Sequence, residues 1–153
     1  GLAEALSIAR ELHARFPADP RLATLLSDAE ARLGFEQLGS DSPSERAAAQ
    51  DSIRAALKRL EGVVQDPRIN PRELFRARSL AGWIQLELGR PEVAERRFRE
   101  ALEFDPDSSD LRLGLATALE LRARKAPADP ASAERLAEAA RLRTASAPPP
   151  AKD

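Results

Sequence analysis

The chain has 153 residues, enough for one domain with a core of its own. Hydrophobic residues make up 42% and charged residues 32%, with a formal net charge of −1, so the composition is globular and no global field draws the chain to nucleic acid or an anionic membrane. There is no cysteine, which excludes disulfides and thiol chemistry. The 21 arginines against three lysines, with abundant alanine, suggest a bacterial origin. The start on Gly1 rather than Met suggests a fragment of a larger protein, with the cytoplasm the expected compartment and the periplasm the alternative.

Strand signals are scarce: valine and isoleucine together number seven, and no alternating run is long enough to use. The chain reads as seven helices. The first is expected over about Leu2 to Arg15, with Leu2, Ala5, Ala9 and Leu12 on one stripe, lacking an upstream partner on one side. Asp19 is suited to cap the second helix and Pro20 to begin it. That helix carries Leu22, Leu25, Leu26, Ala29 and Leu33 and continues toward Leu38. Gly39 to Ser44 is a turn, and a third helix places Ala49, Ile53, Ala56, Leu57, Leu60 and Val64 at helical spacing. Asn70 and Pro71 open a fourth helix, whose stripe is Leu74, Ala77, Ala81, Ile84 and Leu88. Gly89 and Arg90 link it tightly to a fifth, about Pro91 to Phe104. A sixth follows from Ser109 to about Arg124, and a seventh from about Pro130 to Thr144. The helical domain is thus expected over 1–146, with 147–153 a proline-rich, polyproline-like tail or linker.

The segment Phe75 to Ser108 resembles one tetratricopeptide repeat, a helix pair of about 34 residues. The residues that carry the likeness are Ala81, Gly82, Gly89, Ala94, Phe98 and Ala101, closed by Pro106. Small residues suit a close approach of two helix axes, Phe98 fills the gap toward the next unit, and Gly89 permits the turn. Leu115, Ala116 and Leu119 continue the likeness, as do Ala133, Ala137 and Ala140 if about five residues are inserted in the intervening turn. Pro17 and Pro67, which close the preceding unit, lie well beyond one repeat length apart, so both of its helices are expected to be about two turns longer. The resemblance implies an all-α fold, a right-handed superhelical stack of antiparallel helix hairpins (an α-solenoid).

It also implies a non-catalytic scaffold that binds a peptide or partner protein in a concave groove lined by the first helix of each pair. Those positions are Thr24, Asp28 and Arg32 on the second helix, Arg76, Ser79, Trp83 and Glu87 on the fourth, and Leu113, Thr117 and Glu120 on the sixth. Trp83 either anchors an apolar partner residue or packs sideways into the neighbouring hairpin. The asparagine-rich carboxylate clamp of chaperone-binding members is missing, because Asn70 is the one asparagine. The alternative is a regulatory or dimerisation module that pairs through its terminal helices.

No catalytic constellation, cofactor loop or metal spacing accompanies this pattern, so the chain is not expected to be an enzyme. His13 reads as a partly exposed surface residue, with a pH-sensitive contact as its functional reading. Asp105, Asp107 and Asp110 resemble the start of a calcium loop but lack its glycine and closing glutamate, which favours helix capping. Arg96, Arg97 and Arg99 share a helix with Glu92, Glu95, Glu100 and Glu103, and so read as a solvated ion-pair face. Without tyrosine, base stacking would fall to Trp83 and five phenylalanines, and no nucleic-acid partner or membrane insertion is expected.

Overall fold

The computed structural model describes residues 1–147. Among them are seven helices and no strand: α1 (Leu2–Arg15), α2 (Pro20–Leu38), α3 (Pro43–Gln65), α4 (Pro71–Glu87), α5 (Pro91–Phe104), α6 (Ser109–Lys125) and α7 (Ser132–Ser146). Of the expected tail, only Ala147 falls inside the described residues. The chain divides into two compact units, Gly1–Ile84 and Gln85 onward, and the division falls inside α4.

Proline and small polar caps set the boundaries. Asp19 accepts the Arg21 backbone N–H at 2.9 Å and Asn70 accepts that of Glu73 at 2.9 Å, each followed by proline at the first helical position. Ser42 caps α3 in the same way, through the Glu45 N–H. Before α6 the cap is Ser108, which accepts from Leu111 at 3.3 Å, rather than any of the neighbouring aspartates. Asp107 instead accepts from Arg112 at 3.0 Å.

In the first unit, α2 packs on both α1 and α3. Leu6 and Ala9 of α1 join Leu26 and Ala29 of α2 in one cluster, with Leu33 against it. The α1 stripe is rotated from the expected one: Leu6 is buried and Ala5 exposed, because the face toward α2 runs through Leu6, Ala9 and the half-covered Leu2 and Leu12. Ile8, on the far side, keeps 53% exposure. Where α2 meets α3, a Cβ added at Gly34 would lie 2.7 Å from Ile53 and 3.2 Å from the Ala49 carbonyl, so this contact needs glycine's missing side chain. The expected lengthening of this hairpin falls mainly on α3, with 23 residues, while α2 has 19. Because α2 buries two flanks, Leu25 falls on its remaining face and is exposed rather than part of the core.

A polar cluster ties the three helices together. Glu30 is buried on α2, and Arg59 of α3 donates to it at 2.8 Å and to the Ser27 hydroxyl at 3.2 Å. Arg10 of α1 stands 3.6 Å from the other Glu30 oxygen. A buried carboxylate is tolerable only when paired in this manner.

In the second unit, Gly89 has φ 71°, the left-handed conformation that favours glycine. Its N–H donates to Leu86 and that of Arg90 to Gln85, the double bond of a Schellman ending to α4. On α5, Ala94, Phe98 and Ala101 are buried. The Phe98 ring lies against α6, where a Cβ on Gly114 would meet it at 2.7 Å. α6 packs between α5 and α7 and is buried along Leu111, Leu115, Ala118, Leu119 and Ala123.

α7 departs from the expected register. Ala133, Ala137 and Ala140 are exposed, while Ser132 and Ala139 are buried. The Ser132 hydroxyl donates to the Ala126 carbonyl at 2.6 Å, and Asp129 accepts from the Ala131 N–H and from Arg135. That turn starts the helix at Ser132, and its inward face falls one residue earlier in the chain than expected. Leu136 then stands four residues after Ser132 and three before Ala139, the spacing Phe98 has to Ala94 and Ala101, yet it is 49% exposed.

Candidate partner-binding cleft on the α2–α4 face

Of the residues expected to line a groove, the structure brings three together. Thr24 and Asp28 of α2 and Arg76 of α4 line a cleft of about 280 Å³ in the first unit. Arg21, Leu25, Glu73 and Leu80 complete its wall. Helical spacing explains the α2 set: Arg21, Thr24, Leu25 and Asp28 are one turn apart on the face left free by α1 and α3. On α4, Glu73, Arg76 and Leu80 follow the same three-and-four spacing.

The polar groups in this cleft have unequal partners. The Thr24 hydroxyl donates to the Pro20 carbonyl at 2.9 Å, one turn back, which leaves its oxygen as an acceptor. Arg32 donates to Asp28 at 2.8 Å from just outside the cleft. Arg21 is held by Asp19 through two guanidinium bonds of 3.1 and 2.8 Å. That bond, more than any other influence, holds the Asp19 carboxyl down to about 2, and it raises Arg21, to which the Glu73 charge adds less. Glu73 is different. Its side chain is only 5% exposed, Arg76 reaches Oε1 only at 3.5 Å, and Oε2 is buried with no hydrogen-bond donor.

The other expected positions are placed as follows. Ser79 donates its hydroxyl to the Phe75 carbonyl at 2.8 Å and is half-buried. Trp83 is 36% exposed and Glu87 exposed. In the second unit, Leu113 is half-buried, and Thr117 and Glu120 are engaged by Arg143 of α7, which donates to Thr117 at 3.2 Å and to Glu120 at 2.7 and 2.9 Å. The carboxyl of Glu120 is lowered by that hydrogen bond, against the opposing effect of partial burial.

The arginine group on α5 is more tied down than a solvated face would be. Arg99 donates to both oxygens of Glu138 on α7 at 2.8 and 2.9 Å and to Glu95 at 3.0 Å. The Arg99 bond lowers the Glu138 carboxyl. Arg97 is only 12% exposed at its side chain and donates to Glu100 at 3.0 Å. Arg122 of α6 also reaches Glu95, so Glu95 is shared between two helices.

A second cleft of about 270 Å³ in the first unit is lined by His13, Asp19, Arg59, Asp66 and Arg68 among others. His13 is half-buried there, with Nδ1 buried and without a hydrogen-bond partner. Asp66 is held below the usual carboxylate range by the Arg68 backbone N–H and guanidinium. Among the described residues no three His, Cys, Asp or Glu side chains group to hold a metal ion, and no helix is long and apolar enough to cross a membrane.

Glu73 was not among the residues singled out from sequence. Its signal was available: Asn70-Pro71-Arg72-Glu73 places a glutamate three residues after a cap, the spacing of a capping box. Leu25 was missed for the opposite reason, since leucine at helical spacing reads as core. No family model matches the chain, no curated protein matches it, and no solved structure matches its fold.

Proposed function

We propose that this chain is a non-catalytic interaction scaffold of the tetratricopeptide type that binds a peptide or partner protein on the α2–α4 face. The observation that carries this reading is the cleft itself, where the exposed Leu25 and the polar Thr24, Asp28 and Arg76 meet on two helices. The hairpin repeat is supported by the Schellman turn at Gly89, by the buried Ala94, Phe98 and Ala101, and by Phe98 seated on Gly114. The carboxylates whose pKa is displaced belong to structural ion pairs. Asp19, Asp66, Glu120, Asp129 and Glu138 are all lowered, chiefly by hydrogen bonds from arginines or backbone N–H groups, as structural ion pairs are.

A test uses Trp83 as the reporter, since the chain has one tryptophan and no tyrosine. Peptides selected from a random library against the whole chain are titrated while its emission is followed. Trp83→Phe, followed by calorimetry, keeps the ring while removing the indole. Binding should weaken by about 2 kcal/mol or more on Trp83→Ala or Leu25→Asp and stay within about 0.5 kcal/mol on Arg96→Ala. Selected peptides that ignore both Trp83→Ala and Leu25→Asp would refute the placement.

The second reading, a dimerisation module, rests on Ile8 of α1, Phe16 just after it and Leu136 of α7, which are 53, 55 and 49% exposed. Sedimentation across a hundredfold concentration range separates the two. A dimer broken by Ile8→Asp or Leu136→Asp would favour it.

A further inference from the structure

We infer that the α2–α4 cleft accepts a lysine or arginine side chain of the partner, with Glu73 as its counter-charge. This deepens the scaffold reading and rests on it. A carboxylate that is buried needs donors, because its desolvation is otherwise uncompensated. Glu73 has one oxygen served only by the 3.5 Å contact with Arg76 and another served by no donor.

The cations already present do not close on it. Arg21 is turned to Asp19 through Nε and Nη2 and makes no hydrogen bond to Glu73, and Arg76, 51% exposed at its side chain, reaches it only at 3.5 Å. Thr24 has given its only hydroxyl proton to Pro20, so it offers lone pairs alone. The Glu73 Oε2 and the Thr24 hydroxyl oxygen are therefore left as acceptors in the cleft, the complement of an ammonium or guanidinium head.

Size and lining fit the same occupant. At about 280 Å³ the cleft lies just below the range of about 300–1,000 Å³ usual for drug-sized ligands, which suits one long side chain. Leu25 and Leu80 supply apolar wall for the methylene stem, which lysine and arginine bury readily while the head stays polar. An acidic partner residue would have to reach Arg76 while lying against Glu73 and Asp28.

Twelve-residue peptides selected from a random phage library against the whole chain provide the probe, each resynthesised with every Lys or Arg replaced singly by norleucine. The expected result is one basic position whose replacement weakens binding about tenfold or more. On Glu73→Gln that ratio should fall below about threefold. Glutamine matches glutamate in size and leaves the bond from the residue 73 backbone N–H to Asn70 in place, so the variant should fold, as circular dichroism checks.

Two outcomes would overturn the inference while leaving the scaffold standing: peptides that need Leu25 but anchor through Asp or Glu and lose binding on Arg76→Ala, and peptides that need Leu25 but are indifferent to Glu73→Gln. Peptides whose affinity depends on neither Leu25 nor Glu73 would overturn both the inference and the reading beneath it.

Discussion

Gly114 gives a sharp test of how α5 and α6 are packed. Alanine in place of a helical glycine normally stabilises by about 1 kcal/mol. Here the new Cβ would lie 2.7, 2.9 and 3.0 Å from three atoms of the Phe98 ring. That ring is fully buried, so it has no free space into which to retreat. Overpacking costs about 1–3 kcal/mol, and three contacts at or below 3.0 Å on a fully buried ring put this case at about 2–3 kcal/mol, which leaves a net loss of about 1–2 kcal/mol after the propensity gain. For a chain of this size that is a fall in melting temperature of roughly 2–8 °C. Circular dichroism gives the total, and amide exchange over 91–125 localises it. Shortening the ring should relieve the clash, so Phe98→Leu with Gly114→Ala should cost less than the two single changes added, by about 1 kcal/mol. If Gly114→Ala matched or exceeded the native stability, the close approach of α5 and α6 would be wrong.

Other positions make contrasting predictions. Gly62 has no heavy atom within 4 Å of an added Cβ, so Gly62→Ala should stabilise by about 0.5–1 kcal/mol in the same melts. Glu30→Ala strands the largely buried Arg59 and should cost about 2–3 kcal/mol, below the full penalty of a buried pair because Arg59 and Arg10 are 22 and 57% exposed. Glu120 and Glu138 have lowered pKa values, so their pairs with arginine stabilise the fold fully above their ordinary value of 4.5 and lose that contribution as pH falls through the folded values. The melting-temperature gap between the native chain and the Glu120→Gln, Glu138→Gln double variant should therefore be constant from neutral pH to about pH 5 and close in stronger acid. A gap that persists in strong acid would show that these pairs do not act through charge.

Local chemistry explains which elements the sequence made visible. Asp19-Pro20 and Asn70-Pro71 write their helix starts directly, because a side-chain acceptor followed by a residue without an N–H has few other uses. Gly89 was equally plain, since the turn after Leu88 needs a positive φ. The failures arise where tertiary context decides. Whether Ala5 or Leu6 faces inward depends on the rotation of α1 against α2, which apolar spacing alone leaves uncertain by one position. The α7 register turned on Ser132 bonding back to Ala126, and the expected start at Pro130 moved the whole inward face by one residue. On the candidate site, Thr24, Asp28 and Arg76 came from the groove positions that the family resemblance implies, and the structure places the three along one cleft. Thr117 and Glu120 are the matching positions on α6 but are occupied by Arg143, a contact no pattern within α6 encodes.

Chemical-shift mapping of the whole chain with a selected peptide locates the binding face. A peptide seated in the α2–α4 cleft should give the largest amide shifts on Thr24, Leu25, Asp28, Glu73, Arg76 and Leu80, with α1 and the exposed side of α7 unmoved. Shifts concentrated around Ile8, Phe16 or Leu136, with the α2–α4 face silent, would contradict that placement.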